Sequence, residues 1–132
     1  MSATDQSGSL RVRWRVITTL IALAVLMEAV FAGAMLSGVS WARAAHGVTA
    51  ATVIVSSLAA GLICVMTLRR VSHGVKLGQV LLSLAAVLFL QAAAGALSAK
   101  GTNLLWIHVP LGVALFGFAT RAAMGAGRLG QE

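Results

Sequence analysis

The chain has 132 residues, of which 59% are hydrophobic and 10% are charged, and its formal net charge is +7. This number of charged side chains is too small to cover a water-facing surface. The composition therefore excludes a soluble globular domain. An excess of Lys and Arg can indicate nucleic-acid binding, but here the basic residues flank apolar segments, and we expect no nucleic-acid partner.

Four segments are long and apolar enough to cross a bilayer as helices, which takes about 20 residues each. They cover 16–36, 45–68, 77–97 and 104–120. Short connections force antiparallel neighbours, so the sequence predicts an all-α, four-helix up-down-up-down transmembrane bundle that forms one domain over 1–132. The polar or Gly-rich ends, about 1–10 and 125–132, are predicted to be short disordered tails.

The first apolar segment carries Glu28 near its centre. The segment has about 21 residues, which exceeds the apolar region of a signal peptide, and we expect it to span the membrane. An ionisable group at such depth is costly and usually faces the bundle interior. Gln91 falls at about the same depth of the third segment, so a protonated Glu28 could donate a hydrogen bond to Gln91. A role of Glu28 in proton or quinone handling is equally open.

Basic residues are distributed unevenly between the two sides of this layout. Arg43 and Lys100 fall on one side. The other side holds Arg11, Arg13, Arg15, Arg69, Arg70, Lys76, Arg121 and Arg128. By the positive-inside rule both termini are cytoplasmic, which predicts a multi-pass protein of the bacterial cytoplasmic membrane. Trp14 at the inner edge, and Trp41 with Trp106 at the outer edge, are predicted to lie at headgroup depth.

The two halves of the chain resemble each other at an offset of 62 residues. Gly33 then falls on Gly95 and His46 falls on His108, while Glu28 and Gln91 correspond one residue out of register. Each half has an outward helix, a polar loop and a return helix that opens with histidine. This pattern indicates an internal repeat.

The two equivalent histidines begin the second and fourth helices, which are diagonal in a square bundle. Diagonal axes lie about 13 Å apart when neighbours pack about 8 to 10 Å apart, a span that two imidazoles on one haem iron can bridge. One turn deeper on the same faces stand Ala50 and Gly112, which leave room for a macrocycle. His46 and His108 are therefore predicted as metal ligands of haem b, with Ala50 and Gly112 lining the cofactor. The alternative is that both histidines are amphipathic residues at the membrane interface.

Two residues near these helices carry separate predictions. Pro110 lacks an N–H group, so the fourth helix begins either near Ile107 or near Asn103 with a kink. His73 lies in the basic loop 69–76 and is predicted to be a solvated loop residue.

Residues 89–121, FLQAAAGALSAKGTNLLWIHVPLGVALFGFATR, resemble part of the haem A synthase family, from its Gln and Gly-Ala to a ligand histidine. That family consists of two related four-helix halves, each with a histidine pair on its second and fourth helices. The resemblance implies that His46 and His108 are haem ligands. Arg43 stands where the catalytic half has a glutamate, and the family's outer-loop cysteine pair is missing. The resemblance therefore favours the non-catalytic, haem-b-binding half, or small bacterial four-helix membrane proteins of the same layout.

The sequence thus predicts a small b-type membrane cytochrome in electron transfer or haem handling. No hydrolase or nucleotide motif points to an enzyme. Expected partners are the lipid bilayer, a quinone or membrane redox complex, and a second copy of the chain. Two other functions stay open. One is a small proton-coupled transporter centred on Glu28, and the other is a cofactor-free assembly or structural subunit.

Overall fold

The structure, a computed structural model, describes residues 3–131 and contains four helices and no strand in that range. The helices are α1 (Ala3–Leu36), α2 (Ala42–Thr67), α3 (Gly74–Ala99) and α4 (Leu105–Ala126). Close backbone contacts join α1 to α2, α2 to α3, α3 to α4 and α4 to α1, while neither diagonal pair makes such a contact within the described residues. The predicted all-α four-helix bundle is confirmed.

All four helices are long and apolar enough to cross a membrane. No more than 28% of the most apolar stretch of any helix is buried inside the bundle. Large side chains such as Val55, Phe89 and Val113 are 64%, 63% and 70% exposed. A continuous apolar surface of this kind marks contact with lipid, so the chain is a multi-pass membrane protein.

The C-terminal segment differs from the prediction of a disordered tail. Residues 127–131 form turns against the loop between α2 and α3, where the Gly130 amide donates to the Ser72 carbonyl oxygen at 3.2 Å and the Ser72 hydroxyl donates to the Gln131 carbonyl oxygen at 3.1 Å. Leu129 is 1% exposed. Its burial supplies apolar contact that the Gly-rich composition of the segment did not indicate. At the other end of the chain, where a tail over about 1–10 was also predicted, helix α1 begins at Ala3.

The bundle is packed differently along its length. The half next to the chain termini, the packed half, contains a continuous apolar core from residues 14–25, 53–68, 77–88 and 115–129. The half next to the connections 37–41 and 100–104 is the open half. Among the described residues of this half, Ala42 is the one apolar side chain that is fully buried. The apolar core therefore fills the packed half of the bundle, and the open half has no comparable core among the described residues.

The three tryptophans divide between the core and the surface. Trp41 and Trp106 are 60% and 69% exposed in the open half. Trp14 is 7% exposed and belongs to the core, which its place at the edge of an apolar segment did not indicate. The reason is helical spacing, because Trp14 shares the inward stripe of α1 with Ile21 and Val25.

Glycines bring α2 and α3 into close contact. A Cβ atom at Gly78 would lie 2.6 Å from Cγ2 of Val65 and 3.0 Å from the carbonyl oxygen of Gly61. Gly33 on α1 has no neighbour within 4 Å of such an atom. Small residues let helices in a membrane approach closely, and Gly78 does so here, whereas Gly33 leaves open space.

We expect Gly78→Ala to lower the melting temperature of the detergent-solubilised protein. The added methyl group overpacks the α2–α3 contact, which typically costs about 1–3 kcal/mol. Gly33→Ala is the matched control and should be neutral or slightly stabilising, because Ala is favoured over Gly in helices by about 1 kcal/mol. Equal melting temperatures for the two variants would contradict the close approach of α2 and α3.

Candidate functional site

A cavity of about 300 Å³ occupies the open half and is lined by all four helices. Its walls are mainly aliphatic, and each helix adds one large polar side chain. The lining includes every site residue predicted from the sequence, namely Glu28, His46, Ala50, Gln91, His108 and Gly112. The polar residues point inward because they continue the same helical stripes as the core residues of the packed half, as Glu28 does with Val25.

The two predicted ligand histidines meet across the bundle. Their ring centroids are 6.5 Å apart and the ring planes cross at 75°. His46 and His108 come from α2 and α4, the diagonal helices, so the rings bridge a gap that the backbones leave open. Both residues are partly buried, and they lie inside the bundle rather than on its outer surface.

His46 is held by the acidic residue of α1. Its Nδ1 lies 2.8 Å from Oε2 of Glu28, and the two side chains are 23% and 15% exposed. This is a close polar contact rather than a hydrogen bond of good geometry. It lies on the Nδ1 side of the ring, so Nδ1 is the ring nitrogen that faces Glu28.

His108 is held by the backbone of α3. Its Nδ1 lies 3.0 Å from the carbonyl oxygen of Gln91, and the Gln91 side-chain amide donates back to the carbonyl oxygen of His108 at 2.6 Å. A carbonyl oxygen only accepts, so Nδ1 of His108 is the donor and Nε2 is the free acceptor. Each ring thus makes its closest polar contact through Nδ1.

The hydrogen bond predicted between Glu28 and Gln91 is not formed in the described structure. Glu28 contacts His46 instead, and the Gln91 amide contacts His108. Oε1 of Glu28 and Oε1 of Gln91 are both buried without a hydrogen-bond partner in the described residues. The two side chains line the same cavity, but each contacts the histidine of the next helix.

These contacts follow the internal repeat. In each half, the helix that runs towards the loop end supplies the partner, and the returning helix supplies the histidine. Glu28 precedes His46 by 18 residues and Gln91 precedes His108 by 17. The two spacings differ by one residue. The partner of His46 is a side chain, whereas the partner of His108 is a main-chain carbonyl.

Two glycines clear space around the site. A Cβ atom at Gly95 would lie 2.8 Å from Cε1 of His108, and one at Gly112 would lie 3.2 Å from Nε2 of Gln91. Gly95 was not predicted as a site residue. The sequence feature that could have indicated Gly95 is its equivalence to Gly33 in the repeat. The space beside Gly33 itself is open.

Pro110 lies inside α4, which begins at Leu105 between the two predicted starts. The His108 amide donates to the Leu104 carbonyl oxygen at 2.9 Å, so His108 belongs to the first turn. His73 is exposed in the loop before α3, as predicted, with φ of 62°.

The site has too few ligands for a bare metal ion. Within the described residues, no group of three or more His, Cys, Asp or Glu side chains could hold a metal. A protein zinc site takes three or four such ligands. Two opposed histidines suit a cofactor that brings the remaining ligands itself.

Comparisons with protein-family models, curated proteins and solved structures give no match to this chain.

We expect Glu28→Gln to change the NMR signals of the His46 ring nitrogens in protein labelled at its three histidines. The carboxylate group that contacts Nδ1 is lost, while an amide of the same size remains. His73 is the internal control because it lies in the loop before α3. Unchanged His46 signals, or equal changes at His73, would contradict the Glu28–His46 contact.

Proposed function

We propose that this chain is a small b-type membrane cytochrome in which His46 and His108 bind one haem b. The observation that carries the proposal is the 6.5 Å separation of the two ring centroids. Imidazoles on opposite sides of one metal ion place their centroids about 6.3 Å apart when each metal–nitrogen bond is about 2.0 Å. The separation therefore supports a single metal centre between the rings.

The contacts of the ring nitrogens also suit residues that would hold a metal-containing cofactor. Histidines that bind metals usually donate the other ring N–H to a carboxylate or a backbone carbonyl, which fixes the tautomer and the ring orientation. His46 contacts the carboxylate of Glu28, and His108 contacts the carbonyl of Gln91. His46 and His108 would hold the iron of a bound haem through their other ring nitrogens.

The surroundings fit a planar apolar cofactor. The cavity is lined by residues such as Ala50 and Gly112 at the predicted positions below the histidines, and by Ala29 and Gly33 on α1. Bound haem supplies reversible one-electron chemistry. The residues of the chain hold and orient the ligands, exclude water with aliphatic walls, and place Glu28 beside one ligand.

Electron transfer or haem handling, rather than catalysis, fits the chemistry of the site. The described cavity lining contains no nucleophile or acid–base pair beyond the groups that hold the imidazoles. The resemblance to the non-catalytic half of the haem A synthase family supports the same reading. A quinone or a membrane redox complex is the proposed partner. The excess of basic residues at the terminal end supports cytoplasmic termini in a bacterial cytoplasmic membrane.

A proton-coupled transporter is the second candidate, favoured by one observation. Glu28 and His46 form a carboxylate–imidazole contact beside an intramembrane cavity, and ionisable groups at such depth often relay protons. This candidate leaves the close approach of His108 and its fixed Nδ1 unexplained. It also requires no chromophore, so absorbance separates the two proposals.

Absorbance spectra of protein purified from haem-replete cells test the cytochrome proposal. We expect the wild type to show reduced bands of six-coordinate haem b. Loss of either ligand in His46→Ala or His108→Ala should convert the spectrum to a five-coordinate form or remove the haem. His73→Ala is the matched control and should leave the spectrum unchanged, because His73 lies in the exposed loop.

Colourless wild-type protein that also fails to take up added haemin would contradict haem binding. A coloured protein whose spectrum responds equally to all three substitutions would contradict the assigned ligands. If the wild type is colourless and Glu28→Gln abolishes proton-coupled transport in proteoliposomes, the second candidate replaces the first.

A further inference from the structure

A second cavity, of about 530 Å³, lies between α1 and α4 in the packed half. It faces outward, because the interior at this level is filled by the apolar core. We call this cavity the α1–α4 groove. Its lining includes Arg15 and Thr19 from α1, and Phe116, Ala123 and Arg128 from α4 and the turn that follows.

The lining of the α1–α4 groove changes from basic to apolar along the helix axes. Arg15 and Arg128 are exposed and lie at the end of the groove that is nearest to the chain termini. Leu23 and Phe116 lie at the other end, towards the bilayer centre. Arg15 and Leu23 are eight residues apart, which corresponds to about 12 Å along a helix. A ligand of this shape has a polar head and a long apolar part.

Neither arginine pairs with Glu28, which is the one acidic residue whose side chain the structure describes. Glu28 contacts His46 instead. A guanidinium group presents several N–H donors in a fork that matches two phosphate oxygens. Basic pockets between transmembrane helices are suited to anionic lipid headgroups.

We propose that the α1–α4 groove binds an anionic glycerophospholipid of the leaflet next to the chain termini. Arg15 and Arg128 contact the headgroup phosphate, and an acyl chain lies along Leu23 and Phe116. Charge complementarity and the polar-to-apolar gradient favour this occupant over a neutral lipid or a soluble anion. The inference concerns a different cavity from the histidine site and does not depend on haem.

Native mass spectrometry of the purified full chain in detergent tests the proposal. The protein is titrated separately with dioleoyl phosphatidylglycerol, dioleoyl phosphatidylcholine and inorganic phosphate. We expect binding of phosphatidylglycerol only. Each basic side chain near an anionic lipid contributes about fivefold in affinity, so the double variant Arg15→Gln/Arg128→Gln should lose about 25-fold.

The double variant Arg13→Gln/Arg70→Gln is the matched control. It removes the same charge from exposed arginines outside the groove and should retain binding. Ala123→Trp fills the groove while keeping both arginines, and it should also lose phosphatidylglycerol binding. If the Arg15/Arg128 variant does not fold, Arg128→Gln alone, which lies beyond the end of α4, should lose about fivefold.

Three results would overturn the proposal. Equal loss in the control variant would show attraction to general surface charge. Binding of phosphatidylcholine or free phosphate as strong as that of phosphatidylglycerol would remove the lipid specificity. Full binding by a folded Ala123→Trp variant would show that the acyl chain does not occupy the groove.

Discussion

Two imidazole rings face each other inside a lipid-embedded bundle, and the structure of the open half depends on how these polar rings are accommodated. Polar groups in hydrocarbon are costly unless they are paired. Here His46 is paired with Glu28, and His108 is paired with the backbone of Gln91. These contacts use Nδ1 of each ring, and the two rings lie 6.5 Å apart between their centroids. The aliphatic walls and the absent side chains of Gly95 and Gly112 then accommodate this geometry.

The packed half provides the rigidity that such a site requires. Helix pairs in a membrane associate through close van der Waals packing rather than through exclusion of water. The approach of α2 to α3 at Gly61 and Gly78 provides such packing, and the core around Leu81 and Leu84 joins the helices. The histidines lie one to two helical turns beyond this core, at the starts of α2 and α4. Their positions are therefore set by helices anchored at the far end.

Much of the architecture could be predicted because it depends on composition and periodicity. The number of helices, their antiparallel order and the diagonal placement of His46 and His108 follow from apolar length and short connections. The repeat placed the two histidines at equivalent depth. The burial of Trp14 could not be predicted, because the edge of an apolar segment does not reveal which way a side chain faces, and here the helical stripe directs it into the core.

The partners of the histidines were harder to predict. Glu28 and Gln91 were paired with each other because they lie at similar depth, whereas each contacts the histidine of the following helix. The repeat contained this information as two similar spacings. The acceptor for His108, however, is a main-chain carbonyl, and such a group has no signature in the sequence. The clearance at Gly95 likewise depends on the distance between helices, which residue identity alone does not give.

Electron paramagnetic resonance of the oxidised, haem-loaded protein tests the central claim most directly, because the spin state of ferric haem reports its axial ligands. With both imidazoles bound, we expect a low-spin ferric signal that becomes high-spin when either His46 or His108 is replaced by alanine. A high-spin signal in the wild-type protein, with haem bound stoichiometrically, would contradict it.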